Sequence, residues 1–170
     1  LSGGISFIRG GSVSKNNGKG GTDTFTDFVE SIKAGSSNND WIDGTGGKTA
    51  NFSVDLSLNR LNVSNIPGVG SKTISIQGFD HIKGTETADT IKGDRNANSL
   101  SGNGGNDTII SIGGKDSIDG GAGNDTITVQ AADGASVTTG SGQDTVVITS
   151  DYWKKASQSG ASAITINDFS

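Results

Sequence analysis

Aspartates recur along this chain at a fixed interval. Asp80, Asp89, Asp107, Asp116 and Asp125 stand on one nine-residue grid, Asn98 takes the same place once, and Asp144 rejoins the grid after a slip of one residue. A short carboxylate at a turn can bond nearby backbone, or it can hold a hard cation such as Ca2+ through oxygen. Other chemistry is poorly supplied. The chain has no Cys, and His81 is its only histidine, so it offers no thiol nucleophile, no His-rich zinc site and no His-Glu-x-x-His helix. GGKT (46–49) lacks the earlier glycine of a phosphate loop, because Ile42 stands in that place. The expectation is a chain that is not an enzyme and whose inorganic partner is calcium.

Composition points the same way. Of the 18 acidic residues 16 are Asp and only Glu30 and Glu86 are Glu, and Gly supplies 28 of 170 residues. Glu suits helices, whereas Asp and Gly suit turns. Apolar residues make up 30%, too few for one large core, and the net charge is −5. No basic run exists to neutralise phosphates, which excludes a nucleic-acid binder. No apolar stretch approaches the ~20 residues of a membrane span. A first residue Leu with no signal-peptide pattern after it reads as a piece of a longer or processed chain.

The carboxylates need elements to hold them, and the grid supplies these. Read in nines from Gly84, the chain runs GTETADTIK, GDRNANSLS, GNGGNDTII, SIGGKDSID and GGAGNDTIT without a gap to Thr128. SIQGFDHIK (75–83) precedes this block in phase, and TGSGQDTVV (139–147) follows the slip. Each unit has a Gly/Asn/Asp turn half, then a Ser/Thr–apolar–x half of strand character. A strand of about three residues cannot stand alone. It must stack on copies of itself about 4.8 Å away. Two units make one flattened 18-residue coil, and the eighth residues, from Ile82 to Val146, point into one thin core.

These segments resemble the RTX, or haemolysin-type calcium-binding, nonapeptide repeats, whose pattern is G-G-x-G-x-D-x-U-x with U apolar. GGAGNDTIT (120–128) matches every defined position, and GNGGNDTII (102–110) departs only at Asn103. The resemblance covers about residues 75–147. It implies an all-β fold, a right-handed parallel β-roll or β-solenoid with calcium in the turns. Loops two repeats apart would stack on one edge, which puts Asp89, Asp107, Asp125 and Asp144 together and Asp80, Asn98 and Asp116 on the opposite edge. An ion between stacked loops would take a carboxylate from each plus backbone carbonyls, about six oxygens in all, as suits Ca2+. The best site lies between 102–107 and 120–125 and uses Asp107 and Asp125. By resemblance, carbonyls of Asn103, Gly105, Gly120 and Ala122 complete it, and Gly102 and Gly104 belong to the same turn. A second site pairs Asp89 with Asp107, where Thr85 and Thr87 replace glycines. Asn98 with Asp116 and Asp125 with Asp144 are further candidates. The alternative for every one of them is a plain structural turn.

Three regions are expected: an irregular β region with degenerate repeats over 1–74, the roll over 75–147, and a C-terminal cap over 148–170. GSSNNDWID (35–43) reads as a degenerate repeat, SVDLSLNRLNV (53–63) as a strand, and Lys15 to Gly21 as an exposed loop. A short helix near Tyr152–Ala156 is expected. ITINDFS (164–170) resembles the segment that often follows RTX blocks, and Trp153 and Phe169 would cover the end of the roll.

The resemblance implies a secreted bacterial surface module, in a surface-layer protein or adhesin, exported by type I secretion and folded by calcium outside the cell. Candidate partners besides calcium are copies of itself and cell-surface polysaccharide. The alternatives are a non-catalytic appendage of an extracellular protease, lipase or epimerase, and a carbohydrate-binding module using Trp41 or Trp153.

Overall fold

A computed structural model describes residues 4–8, 12–16, 23–25, 31–34, 40–66, 68, 70–130, 134–149 and 163–168. Its strands are β1 (Gly4–Ile8), β2 (Ser12–Asn16), β3 (Asp23–Phe25), β4 (Ser31–Lys33), β5 (Trp41–Asp43), β6 (Asn51–Asp55), β7 (Arg60–Ile66), β8 (Gly70–Gln77) and β9 (His81–Lys83). They continue as β10 (Thr90–Lys92), β11 (Ser99–Ser101), β12 (Thr108–Ser111), β13 (Ser117–Asp119), β14 (Thr126–Val129), β15 (Ser136–Thr138), β16 (Thr145–Ile148) and β17 (Thr165–Ile166). From β9 onward the chain alternates between two sheets, and each strand pairs in parallel with the strand one coil later. This is a parallel β-solenoid, the fold expected of the repeat block.

The register follows from the nine-residue period. Thr108, Ile109 and Ile110 pair with Thr126, Ile127 and Thr128, and Ser99 and Leu100 with Ser117 and Ile118. Only alternate strand residues face inward. Ile82, Ile91, Leu100, Ile109, Ile118, Ile127 and Val137 therefore form a spine that is at most 2% exposed. One or two side chains per strand fill the space between sheets, Ser111 and Val129 joining Ile109 and Ile127, so the core is long and thin. The extra residue of the slip enters after β14, yet β15 and β16 still pair in register with β13 and β14. The stack absorbs it in a loop because moving a strand by one residue would turn its apolar face outward.

The first half is less uniform. β5 joins the parallel stack, with Ile42 beside Ile82, as the degenerate repeat at 35–43 suggests. The stretch 53–63 is not one strand. β6 and β7 form an antiparallel hairpin around a single 3-10 turn, Leu56–Leu58. Apolar residues alternate at Val54, Leu56 and Leu58 and again at Leu61 and Val63, one place out of phase, and the turn falls at that shift. The turn is closed by Asp55, which accepts the Leu58 N–H, and by Asn59, which adopts left-handed φ of 53°. β7 then pairs antiparallel with β8, and β1, β2 and β3 form an antiparallel meander at the end of the other sheet. Lys15 and Asn16, expected in a loop, lie in β2. The expected helix near 152–156, Trp153 and Phe169 lie outside the described residues. No helix among the described residues is long and apolar enough to cross a membrane.

Candidate metal centre

The coil brings the aspartates of one edge into a ladder. In each rung the Oδ1 of one aspartate accepts the backbone N–H of the residue one coil earlier. Asp107 accepts from Asp89 at 2.7 Å, Asp125 from Asp107 at 2.8 Å and Asp144 from Asp125 at 2.9 Å. The first rung is different: Asp89 accepts from Phe52 N–H. Phe52 holds the place where an earlier aspartate would stand. A Cβ on Gly44 would lie 2.7 Å from its Cε2, so the aromatic ring closes the start of the ladder. The sequence grid gave no signal for this, because the β6–β7 hairpin interrupts the period.

The second carboxylate oxygens are where the loops diverge. Asp107 Oδ2 and Asp125 Oδ2 are buried and have no hydrogen-bond partner. An acceptor left bare in the interior is costly, and native folds pair nearly all of them. Each faces a cradle formed by the first glycine of its own loop and a carbonyl from the next. A Cβ on Gly102 would stand 2.2 Å from Asp107 Oδ2 and 2.4 Å from the Gly120 carbonyl oxygen. A Cβ on Gly120 would stand 2.6 Å from Asp125 Oδ2 and 2.2 Å from the Thr139 carbonyl oxygen. The nearest polar atoms in each cradle are oxygen acceptors, and neither Oδ2 has a donor. That donor set fits a hard cation. Among the described residues no three His, Cys, Asp or Glu side chains converge on a metal position, so backbone oxygens must supply the remaining ligands.

The carbonyls implied by the family resemblance sort into two kinds. Gly120 faces the cradle. Asn103 O accepts the Ala122 N–H at 2.9 Å and Ala122 O accepts the Gly105 N–H at 2.8 Å, so this pair stitches the loops together. Gly105 O lies against Gly123, and Gly104 N–H donates to Thr85 O at 3.2 Å. Two groups were not anticipated. Thr139 O enters the second cradle, and Asp168 holds that loop by accepting Thr139 N–H at 2.7 Å and Gly140 N–H at 2.8 Å. The pairing of β15 with β17 places Asp168 there, and the ITINDFS segment was the available hint.

Asp89, Asp116, Asn98 and Asp80 have hydrogen-bond partners within the protein. Asp89 Oδ2 accepts from the Thr85 N–H and, at 3.0 Å, from the Thr85 hydroxyl. On the opposite edge Asp116 accepts Asn98 N–H at 2.9 Å through Oδ1 and the Ser111 hydroxyl through Oδ2. Asn98 accepts Asp94 N–H and donates to Asp80 O. Asp80 accepts Asp40 N–H at 3.3 Å.

Electrostatics single out the centre of the ladder. Burial, reinforced by the Asp89 and Asp125 charges, pushes Asp107 up to about 7. Burial also raises Asp89 and Asp125, the latter with help from the Asp144 and Asp119 charges. A carboxylate raised in the fold takes up a proton on folding. The metal-free roll therefore gains stability from Asp107 at acid pH and loses it as pH rises through about 7. A cation needs the opposite state, the ionised carboxylate. Calcium affinity should accordingly fall by about tenfold per pH unit below 7 while one proton is displaced. Calcium titrations between pH 8 and pH 5.5 measure this, and a flat profile contradicts it.

A family model for the RTX calcium-binding nonapeptide repeat matches the chain in four copies, over residues 76–109, 93–127 and 113–131. No match was found among curated proteins.

Proposed function

Because the chain carries RTX calcium-binding nonapeptide repeats, we propose that it is a calcium-folded structural module of a secreted bacterial surface protein, such as a surface-layer protein or adhesin. The observation that carries the calcium part is the pair of bare, buried oxygens, Asp107 Oδ2 and Asp125 Oδ2, each beside a carbonyl oxygen of the next loop. Asp107, Asp125 and the Gly120 and Thr139 carbonyls would hold the ions. Bound calcium supplies positive charge to a ladder that otherwise buries like charges and unpaired acceptors.

The role is mechanical. A thin spine and short strands leave little margin for ordering the chain, so an ion that binds only the fold shifts the balance strongly. Such a module stays unfolded where calcium is scarce and folds where it is plentiful, which suits export before folding. It performs no reaction of its own in this reading, and any catalytic signature belongs elsewhere in a parent protein. Sugar stacking on Trp41 is less favoured. The ring already packs against His81 at 4.7 Å, and the Lys83 ammonium lies 5.3 Å from its centroid.

The test is a far-UV circular dichroism titration. The chain should be largely disordered in EDTA and acquire β signal in about millimolar calcium, the range of extracellular modules. A spectrum that EDTA leaves unchanged overturns the proposal.

A further inference from the structure

The loops differ in one backbone feature that sorts them without reference to their aspartates. Asn103, Gly121 and Gly140, each second in its loop, have left-handed φ of 68°, 101° and 97°. Thr85 and Asp94 hold the same place in their loops but are not among the residues with positive φ. The consequence is visible in the hydrogen bonds. Where φ is not positive the second N–H turns into the loop and donates to the position-6 side chain: Thr85 to Asp89 Oδ2, Asp94 to Asn98 Oδ1 at 2.9 Å. In the left-handed loops at 102 and 120 that oxygen is bare.

Two hydroxyls and one missing carbonyl reinforce the division. Thr85 Oγ1 and Ser111 Oγ donate to the Asp89 and Asp116 carboxylates. On the opposite edge a Cβ on Gly93 would meet Asn98 Oδ1 at 2.5 Å and Leu100 Cδ1 at 3.3 Å, with no carbonyl among its nearest atoms. The loop at 139 is left-handed, but among the described residues β16 ends its sheet, no further coil of that sheet faces the loop, and Asp144 is half-exposed.

Building on the calcium reading above, we infer that the backbone hand of the second loop residue selects which carboxylates take a cation, and that this chain takes two, both on the Asp107–Asp125 edge. Thr85 closes the cradle at Gly84, although that cradle already has Asp89 Oδ2 and the Gly102 carbonyl, each 2.5 Å from a Cβ there. Asn103 opens the next cradle because its short amide side chain tolerates the left-handed conformation. A β-branched residue at 103 would favour the closed form.

Calcium counting by isothermal calorimetry and native mass spectrometry on the full chain tests this. The parent chain should bind two ions, Thr85→Gly three, Asn103→Thr one, and Asn103→Gly two. Circular dichroism in calcium checks that each variant folds. Three or more ions in the parent, or two in Thr85→Gly, overturns the selection rule while leaving calcium binding intact. No ion in any variant overturns the calcium reading itself. Should Asn103→Thr fail to fold, the Thr85→Gly count still decides.

Discussion

Gly123→Ala should destabilise the calcium-loaded roll by about 4 kcal/mol, a backbone strain and an overpacking penalty of similar size acting together. Gly123 has φ of 133°, a region that residues with a Cβ avoid. The added Cβ would also stand 1.9 Å from the Gly105 carbonyl oxygen and 2.6 Å from its carbon. Both atoms are backbone, so no rotamer change relieves the clash. Gly105 and Gly123 sit one coil apart, and the loops touch there because neither has a side chain. Gly46→Ala is the matched control. Gly46 also has positive φ, 84°, but nothing lies within 4 Å of its would-be Cβ, so only the conformational cost of about 1 kcal/mol remains. Urea denaturation in saturating calcium compares the two. Equal losses for Gly123→Ala and Gly46→Ala would mean that the loop stack yields easily, against the tight approach seen here.

Gly123 illustrates what the sequence could reveal. The G-G-x-G pattern marks turn glycines, and the nine-residue grid assigns the spine, since Ile91, Ile109 and Ile127 each occupy the eighth place. Those inferences are local, and each is repeated several times in phase. Three features lay beyond that reach. The break at Leu56–Leu58 shows only as a one-residue phase shift, from Val54, Leu56 and Leu58 to Leu61 and Val63, too slight a mark to reveal a hairpin. Phe52 holds an aspartate's rung through the geometry of an inserted hairpin, not through its own type. Asp168 reaches Thr139 across 29 residues, which is no multiple of the nine-residue period, so the grid does not link them. At the candidate site the grid finds the carboxylates but cannot tell a bare oxygen from a satisfied one. Asp107 and Asp116 look alike in sequence. Ser111 donates a hydroxyl to Asp116, whereas the matching residue for Asp107 is Gly102, which has no side chain to donate and gives its N–H to Asp119 O.

Asp107→Asn should separate the two roles of this side chain. The amide oxygen can still accept the Asp89 N–H, so the rung survives. The bare Oδ2 becomes a neutral amide nitrogen, which can donate but cannot bind a cation. Without calcium at pH 8, the parent roll must bury an ionised Asp107 whose pKa burial and its neighbours have pushed up to about 7. The amide removes that penalty, so the metal-free variant should be more stable than the metal-free parent at pH 8. At pH 5 Asp107 is largely protonated in the fold, and the difference should shrink. With calcium the order reverses. Losing a carboxylate ligand should raise the calcium concentration at the folding midpoint at least about tenfold, which corresponds to 1.4 kcal/mol. Asp116→Asn on the opposite edge, where Ser111 and Asn98 already satisfy the carboxylate, should shift that midpoint less than about twofold. Circular dichroism across calcium concentration at pH 8 reads the second effect, and the same measurement in EDTA with an excluded osmolyte, which populates the metal-free roll, reads the first. Equal midpoints for the two variants would place the ions elsewhere in the loops. A metal-free Asp107→Asn roll no more stable than the parent would show that the buried charge costs the fold little.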